Sequence, residues 1–424
     1  MGHRETSQIF EKDRQYVKFC LYGFLKNLRF FEPFLLLIFL GKGLSYLEIG
    51  TLYAAREISI NILEIPSGLL ADTVGRRLTM VVSLFSYIIS FLIFYAASSF
   101  ALLFLAMIVF AFGDAFRTGT HKAMIFDYLH SKGWDSQRTY YYGHTRAWSQ
   151  RGSALSALVA ALLVFWQGSY TSVFLFTTIP YTLNLFLILS YPKALDGPQH
   201  TDNRKVSEVF STVLRSLFAS ITNPRLLRTI ANQSLYTGYY KACKDYLQPI
   251  LKTLALSLPI LLGFDDEKRT ALLIGLVYAL LYAATAFASS QSGSFARRFG
   301  ALATPLNLTM LLGLSLGLFS GLFLHLGWVA LAVVLYLGIY VLENLRKPMG
   351  ITYVSERMNQ DSLASALSVE SQSESMVAAG VALLLGLFSN LVGVGLGILI
   401  VSAICALLAL LVWLPKEGSE KSPA

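Results

Sequence analysis

Four short clusters of charge stand inside otherwise apolar sequence. Lys26, Arg29 and Glu32 are spaced i, i+3, i+6; Asp114 and Arg117 are spaced i, i+3, as are Glu343 and Arg346; Lys241, Lys244 and Asp245 form a fourth, mixed group. Such spacing lays each set along one side of its helix. Two chemistries use groups of this kind. A carboxylate beside an arginine in a partly dehydrated space changes its proton affinity as that space opens and closes, which ties proton release to conformation. Guanidinium and ammonium groups, for their part, grip an anionic or zwitterionic solute through charge-assisted hydrogen bonds, arginine bidentately. Glu32, Asp114 and Glu343 are therefore the candidates for carrying protons, and Arg29, Arg117, Arg346, Lys241 and Lys244 the candidates for holding solute. For any one residue the alternative is a salt bridge that only joins helices.

The elements that must position these groups are apolar and long. Of 424 residues, 55% are hydrophobic and 14% charged, a balance outside that of soluble domains. Segments of about 20 apolar residues, enough to cross a bilayer, recur over 19–40, 46–68, 78–97, 101–124, 140–165, 171–191, 225–250, 270–291, 304–323, 328–349, 364–388 and 391–413. An ionised side chain at the bilayer centre costs about 2.5 to 3.5 kcal/mol even on the lenient insertion scale, so the four clusters must face one another or a wet cavity. Inert packing in lipid uses small residues instead. Gly313, Gly317 and Gly321, the pair Gly393 and Gly397, and the series Gly152, Ser156 and Ala160 are assigned to close helix contact.

Basic residues concentrate on one side of the twelve spans, among them Arg14, Lys18, Arg76, Arg77, Arg204, Lys205, Arg297 and Arg298, whereas Lys42, Lys252, Lys268 and Arg269 hold the other. This asymmetry places both termini in the cytoplasm and accounts for the net charge of +9 without nucleic acid. The first span, interrupted by Lys26, Arg29 and Glu32, does not read as a cleaved signal. Cys20, Cys243 and Cys405 are isolated within apolar segments and read as core residues. No Gly-x4-Gly-Lys-Ser/Thr loop and no His-Glu-x2-His pair occurs, so neither ATP hydrolysis, a metal, a cofactor nor an enzymatic activity is expected.

The chain repeats itself. At a shift of 225, Ser67-Gly68-Leu69-Leu70-Ala71 lies over Ser292-Gly293-Ser294-Phe295-Ala296, and Gly75 over Gly300. At a shift of 229, Asp114, Arg117 and Asp127 lie over Glu343, Arg346 and Glu356. The expected organisation is an all-α membrane protein of two six-helix halves, 1–192 and 225–424, joined by a cytoplasmic linker over 193–224. In that linker Val206, Val209, Phe210, Val213, Leu214, Leu217 and Phe218 follow the spacing of an amphipathic helix.

Twelve spans in two halves, with the turn Gly68-x3-Asp72-x2-Gly75-Arg76-Arg77 after the second, resemble the major facilitator superfamily over almost the whole chain. Thr73 departs from the pattern, standing where Arg or Lys is usual. The resemblance implies that spans one, four, seven and ten line a central cavity, and that Gly68, Asp72, Gly75, Arg76 and Arg77 form a conformational latch with Asp127 as the partner of Arg76. Residue chemistry suits a latch: Gly75 can take turn angles, Asp72 can face a helix N-terminus, and the arginines can pair with carboxylates.

Direction is contested within the sequence. The fifth span, "RGSALSALVAALL", lacks the Gly-Pro motif of antiporter branches, while "EIPSGLLAD", Glu64 to Asp72, resembles bacterial efflux-type members, and Pro66 is expected to bend or end its helix. Tyr140, Tyr141 and Tyr142 read as interface anchors, whereas Tyr236, Tyr239 and Tyr240, beside Lys241 and Lys244, are candidates for lining the cavity. The resulting expectation is a proton-coupled secondary transporter in a bacterial inner membrane. It would alternate access between its halves to move a small polar or anionic organic solute, with export favoured and with protons and membrane lipid as its other partners. The rival readings are multidrug efflux of lipophilic cations and a ligand-binding membrane receptor that transports nothing.

Overall fold

The apolar segments fold as helices throughout. The computed structural model describes residues 11–134, 137–196, 224–355 and 360–415. The joining stretch 197–223, Glu356 and the Asp72 side chain lie outside the described residues. The first helices are α1 (Arg14–Lys26), α2 (Leu35–Gly41), α3 (Tyr46–Val74), α4 (Arg76–Ala96), α5 (Phe100–Arg117), α6 (Thr120–Ser131), α7 (Arg138–Gln167) and α8 (Val173–Leu189). They are followed by α9 (Pro224–Cys243), α10 (Leu247–Ser257), α11 (Asp266–Ala296), α12 (Ala303–His325), α13 (Val329–Ser355), α14 (Gln360–Val392) and α15 (Val394–Leu411). Among the described residues eight helices are long and apolar enough to cross a membrane, and no strand occurs.

Three of the twelve expected spans are broken rather than continuous. The first comprises α1, a 3-10 turn at Glu32–Phe34, and α2; the seventh comprises α9, a 3-10 turn at Lys244–Tyr246, and α10. The fourth breaks between α5 and α6, where Gly119 takes φ +82°. Three of the four charged clusters sit at these breaks, whereas Glu343 and Arg346 lie within the unbroken α13. A break in lipid frees backbone groups that need partners, and side chains supply them. The Gln248 side-chain oxygen accepts from Leu36 N–H at 2.8 Å, Gln248 Nε2 donates to Glu32 O at 3.0 Å, Tyr181 Oη donates to Lys26 O at 3.0 Å, and Tyr340 Oη donates to Lys244 O. Buried rings of Phe31, Phe91, Phe94, Phe110 and Phe174 pack behind the first break.

One expectation is narrowed and another corrected. Pro66 does not end its helix: α3 runs through it to Val74 and begins at a capping box in which Ser45 and Glu48 bond reciprocally. Gly393 takes φ +85° in the turn before α15, with no close neighbour to a built Cβ, so it turns the chain and does not pack. Gly321 does pack, with Gly395 supplying the partner surface: a Cβ on Gly321 would stand 2.6 Å from Gly395 O.

Asp13, the α3–α4 turn at Gly75, and Leu414 define one face of the molecule, the terminus-bearing face; α2 and α10 end at the opposite face. The two halves meet along α3 with α14 and α7 with α11. A Cβ on Gly50 would lie 2.5 Å from Ala382 O, and one on Gly275 would lie 2.3 Å from the Ala161 Cβ. Further contacts between the halves, Phe165 with Phe264 and Tyr170 Oη with Glu267 O at 3.4 Å, lie at the opposite face. Toward the terminus-bearing face Arg146 and Gln150 of α7 stay exposed.

Candidate functional site

The breaks of α1–α2 and α5–α6 bring Arg29, Asp114 and Arg117 together. Arg29 Nη2 lies 3.4 Å and Arg117 Nη2 lies 3.0 Å from Asp114 Oδ1, and the Tyr87 hydroxyl donates to the same oxygen. Arg29 Nε donates to Tyr181 Oη at 3.0 Å, Arg117 Nε donates to Tyr87 Oη at 3.1 Å, and the Arg29 guanidinium stands over the Tyr87 and Phe110 rings. Two guanidiniums share one carboxylate, so this cluster keeps one positive charge in excess.

Beside it a cavity of about 380 Å³ opens between α1, α6 and α7, on the terminus-bearing side of the contacts that join the halves. Its charged lining is Lys26, Arg117, Lys122 and Arg146, with His121, and it includes no carboxylate. His121 is stacked on Tyr22 at 3.7 Å. A second cavity of about 130 Å³ lies against the other half, lined by Tyr240, Tyr278, Tyr282, Tyr340 and the charged trio Glu32, Lys244 and Asp245. Gln150 lines both, so the two cavities adjoin as neighbouring lobes. Lys244 Nζ bridges Glu32 at 3.3 Å and Asp245 at 3.5 Å, which ties the first broken span to the seventh.

Not every expected residue faces this space. Arg346 is fully buried and donates to Leu306 O at 2.8 Å, Asn232 O at 2.9 Å and Asn232 Oδ1 at 2.6 Å. Asn232 and Asn307 in turn hold the chain after α15, through Val412 O and both backbone groups of Leu414. The sequence match between Arg117 and Arg346 thus does not carry over to their surroundings. Lys241 is paired with Glu374 at 2.9 Å, away from either lobe's lining. Glu343 is 3% exposed; Thr237 Oγ1 donates to its Oε2 at 3.4 Å, and its Oε1 has no hydrogen-bond partner among the described residues. Tyr236 and Tyr239 are core residues under Gly313 and Gly317, and of that trio Tyr240 alone lines a lobe. Tyr142, expected at an interface, lines the basic lobe instead.

At the terminus-bearing face Arg76 is ion-paired with Asp127. Gly75 takes φ +103°, and Asp196 accepts the Arg77 backbone N–H at 2.9 Å while the Arg77 side chain donates to Tyr191 O at 2.8 Å. Gly68 has open space around it. Sequence reading missed Asp196, Tyr87, Tyr181, Lys122 and Arg146; for the tyrosines, single aromatic residues within apolar helices carried no signal.

The sequence profile of the Major Facilitator Superfamily matches residues 19–371. The chain belongs to this superfamily. Among curated relatives it is 34% identical over 90 residues to the uncharacterized MFS-type transporter YxaM of Bacillus subtilis (strain 168). That match spans 21% of this chain and 23% of YxaM. Among solved structures, nucleoside transporter NupG superposes with TM-score 0.71 at 14% identity over 95% of this chain and 97% of NupG. A POT family transporter in complex with a thioalcohol-conjugated peptide gives 0.70 at 14%, over 94% and 95%. The human organic anion transporter MFSD10 (TETRAN) gives 0.57 at 17%, over 95% and 100%. At these identities the likeness establishes the superfamily fold. The protein is an integral membrane transporter.

Proposed function

We propose that this superfamily member is a secondary transporter that alternates access between its halves and moves a small polar or anionic organic solute. One observation carries the solute class: the larger lobe is lined by four Lys and Arg side chains and by no carboxylate. Arg117 also contacts Asp114, but Arg29 offsets that carboxylate, so the lobe and the cluster together keep four positive charges in excess. Such a field stabilises an anion and repels a lipophilic cation, which argues against multidrug cation efflux. That MFSD10 carries organic anions on the same fold is consistent with this reading. Arg117 and Lys244 line the space and hold solute, whereas Arg29 positions Arg117 through the carboxylate they share.

Proton coupling fits Glu343 better than Asp114. Three donors converge on one oxygen of Asp114, while Glu343 is buried with one oxygen unpartnered among the described residues. The resemblance of Glu64 to Asp72 to efflux-type members favours export, and the distribution of basic residues puts the terminus-bearing face in the cytoplasm of a bacterial inner membrane.

A thermal-shift screen of the purified protein against a pool of anionic and zwitterionic metabolites and a pool of lipophilic cationic drugs tests the reading. A ligand that binds only the folded state adds about 2.7 kcal/mol at a hundredfold excess over its dissociation constant. Stabilisation by the first pool is expected, followed by uphill movement of the hit in proteoliposomes with an imposed proton gradient. Stabilisation by cations alone overturns it.

A further inference from the structure

The two lobes differ in charge and in surface, and that difference narrows the solute class. The larger lobe presents four cationic side chains, Lys26, Arg117, Lys122 and Arg146, unopposed by carboxylate in its lining. The smaller lobe presents two carboxylates, Glu32 and Asp245, against one ammonium, Lys244, which touches both. It therefore carries one negative charge in excess, beside four tyrosines. That balance counts the lining alone: Arg56, paired with Glu57 at 3.0 Å, and Arg29, paired with Asp114 at 3.4 Å, stand behind it and offset part of the charge on Glu32. An uncompensated carboxylate in a space with little water is costly, and a bound cation relieves that cost. Tyrosine rings suit the same occupant, since an ammonium is attracted to an aromatic face.

Each lobe's lining also includes a buried tyrosine whose hydroxyl makes no well-aligned hydrogen bond among the described residues, with Arg117 beside the one and Tyr340 and Gln248 beside the other. Tyr22 Oη, on a residue 3% exposed, belongs to the larger lobe; Tyr278 Oη, on a residue 4% exposed, belongs to the smaller. Buried polar groups without a well-aligned partner are those a ligand can satisfy. The hydroxyl can donate to an anionic oxygen in the first lobe and accept from an ammonium in the second.

We infer that the transported solute is a zwitterion bound across the two halves, its anionic end in the basic lobe and its ammonium in the tyrosine-lined lobe with Glu32 and Asp245. The inference rests on the anion reading proposed above and extends it to the second lobe. It also gives the seventh span a role: an ammonium drawn to Glu32 and Asp245 competes with Lys244 for the contacts that tie the first broken span to the seventh.

The test is a matched set of probes on the full-length purified protein: γ-aminobutyrate and ε-aminocaproate, the corresponding acids butyrate and caproate, and the corresponding amines butylamine and hexylamine. A zwitterion is expected to raise Tm at a concentration at least about tenfold below that of its acid or amine, a difference of ~1.4 kcal/mol. Asp245→Asn and, as a variant that leaves every charge in place, Tyr282→Leu are expected to erase the advantage of the zwitterion while leaving the response to the acid. Lys122→Gln is expected to weaken the response to both. Equal responses to zwitterion and acid overturn the inference and leave the anion reading standing. A response to the amines alone overturns both. If none of the six probes shifts Tm, the two-lobe inference is wrong, and the metabolite-pool screen decides the anion reading separately.

Discussion

Replacing Gly275 by alanine is expected to shift the protein between its two access states. A Cβ at this position would stand 2.3 Å from the Ala161 Cβ and 3.1 Å from Ala157 O, at the contact of α11 with α7. Carbon atoms settle at about 3.5–4.0 Å, so the helices are more than an ångström too close to accept the added methyl group. Neither neighbour can swing aside, because one is a methyl carbon on its own backbone and the other is a carbonyl oxygen. Overpacking of this kind costs about 1–3 kcal/mol. In alternating access this contact opens when the opposite face opens, so the cost falls on the present arrangement alone. A penalty confined to one state moves a two-state equilibrium by its full amount, here about 5- to 150-fold. The assay is a pulsed electron-resonance distance measurement between spin labels on Ser98→Cys and Ser257→Cys, exposed sites on the two halves at the opposite face. Cys20, Cys243 and Cys405 are buried and do not compete for label. The parent is expected to give mainly the short distance, and the Gly275→Ala protein a larger population at a longer one. An unchanged distribution accompanied only by a lower Tm would refute the reasoning, because Gly275 would then serve packing common to both states.

Asp114→Asn removes the carboxylate that two guanidiniums share; leaving a buried charge unpaired costs about 3–5 kcal/mol, so thermal unfolding should occur well below the parent, and Arg117→Gln, which leaves Arg29 to pair with Asp114, should cost less. Arg346→Met takes a donor from both oxygens of Asn232 and from Leu306 O, which Thr309 Oγ1 still reaches at 3.1 Å, at about 1–3 kcal/mol for each group left unsatisfied. It should lower Tm and still allow the ligand-induced shift, whereas loss of the ligand response at unchanged Tm would restore Arg346 to the solute site. Asp127→Asn breaks an ion pair whose carboxylate side chain is 39% exposed, worth about 0.2–1 kcal/mol. Proteoliposome transport should slow with little change in Tm, and an unaltered rate would remove the pair from the latch. Ser45→Ala deletes the N-cap of α3 at a cost of about 1 kcal/mol, seen as faster amide hydrogen exchange in the first turn of that helix.

Most span positions and the charged clusters could be read from the chain alone, because each depends on one stretch of sequence. Apolar length is set by bilayer thickness, and the cost of burying charge is paid locally whatever the neighbours are. The glycine turn at Gly75 belongs to the same class, its φ of +103° being a property of that one position. Which charges meet was settled only in three dimensions. Arg117 and Arg346 occupy matched places in the two repeats, yet one lines a cavity and the other is sealed among Asn232 and Leu306. The break in the first span likewise depends on Gln248 reaching Leu36 and Glu32 from across the molecule, a contact separated by 212 residues for the Leu36 bond, and the break in the seventh on Tyr340 reaching Lys244 O. A sequence therefore declares which groups are expensive to bury, while only the packing of distant helices decides whether each finds a partner, a solute or a wall of protein.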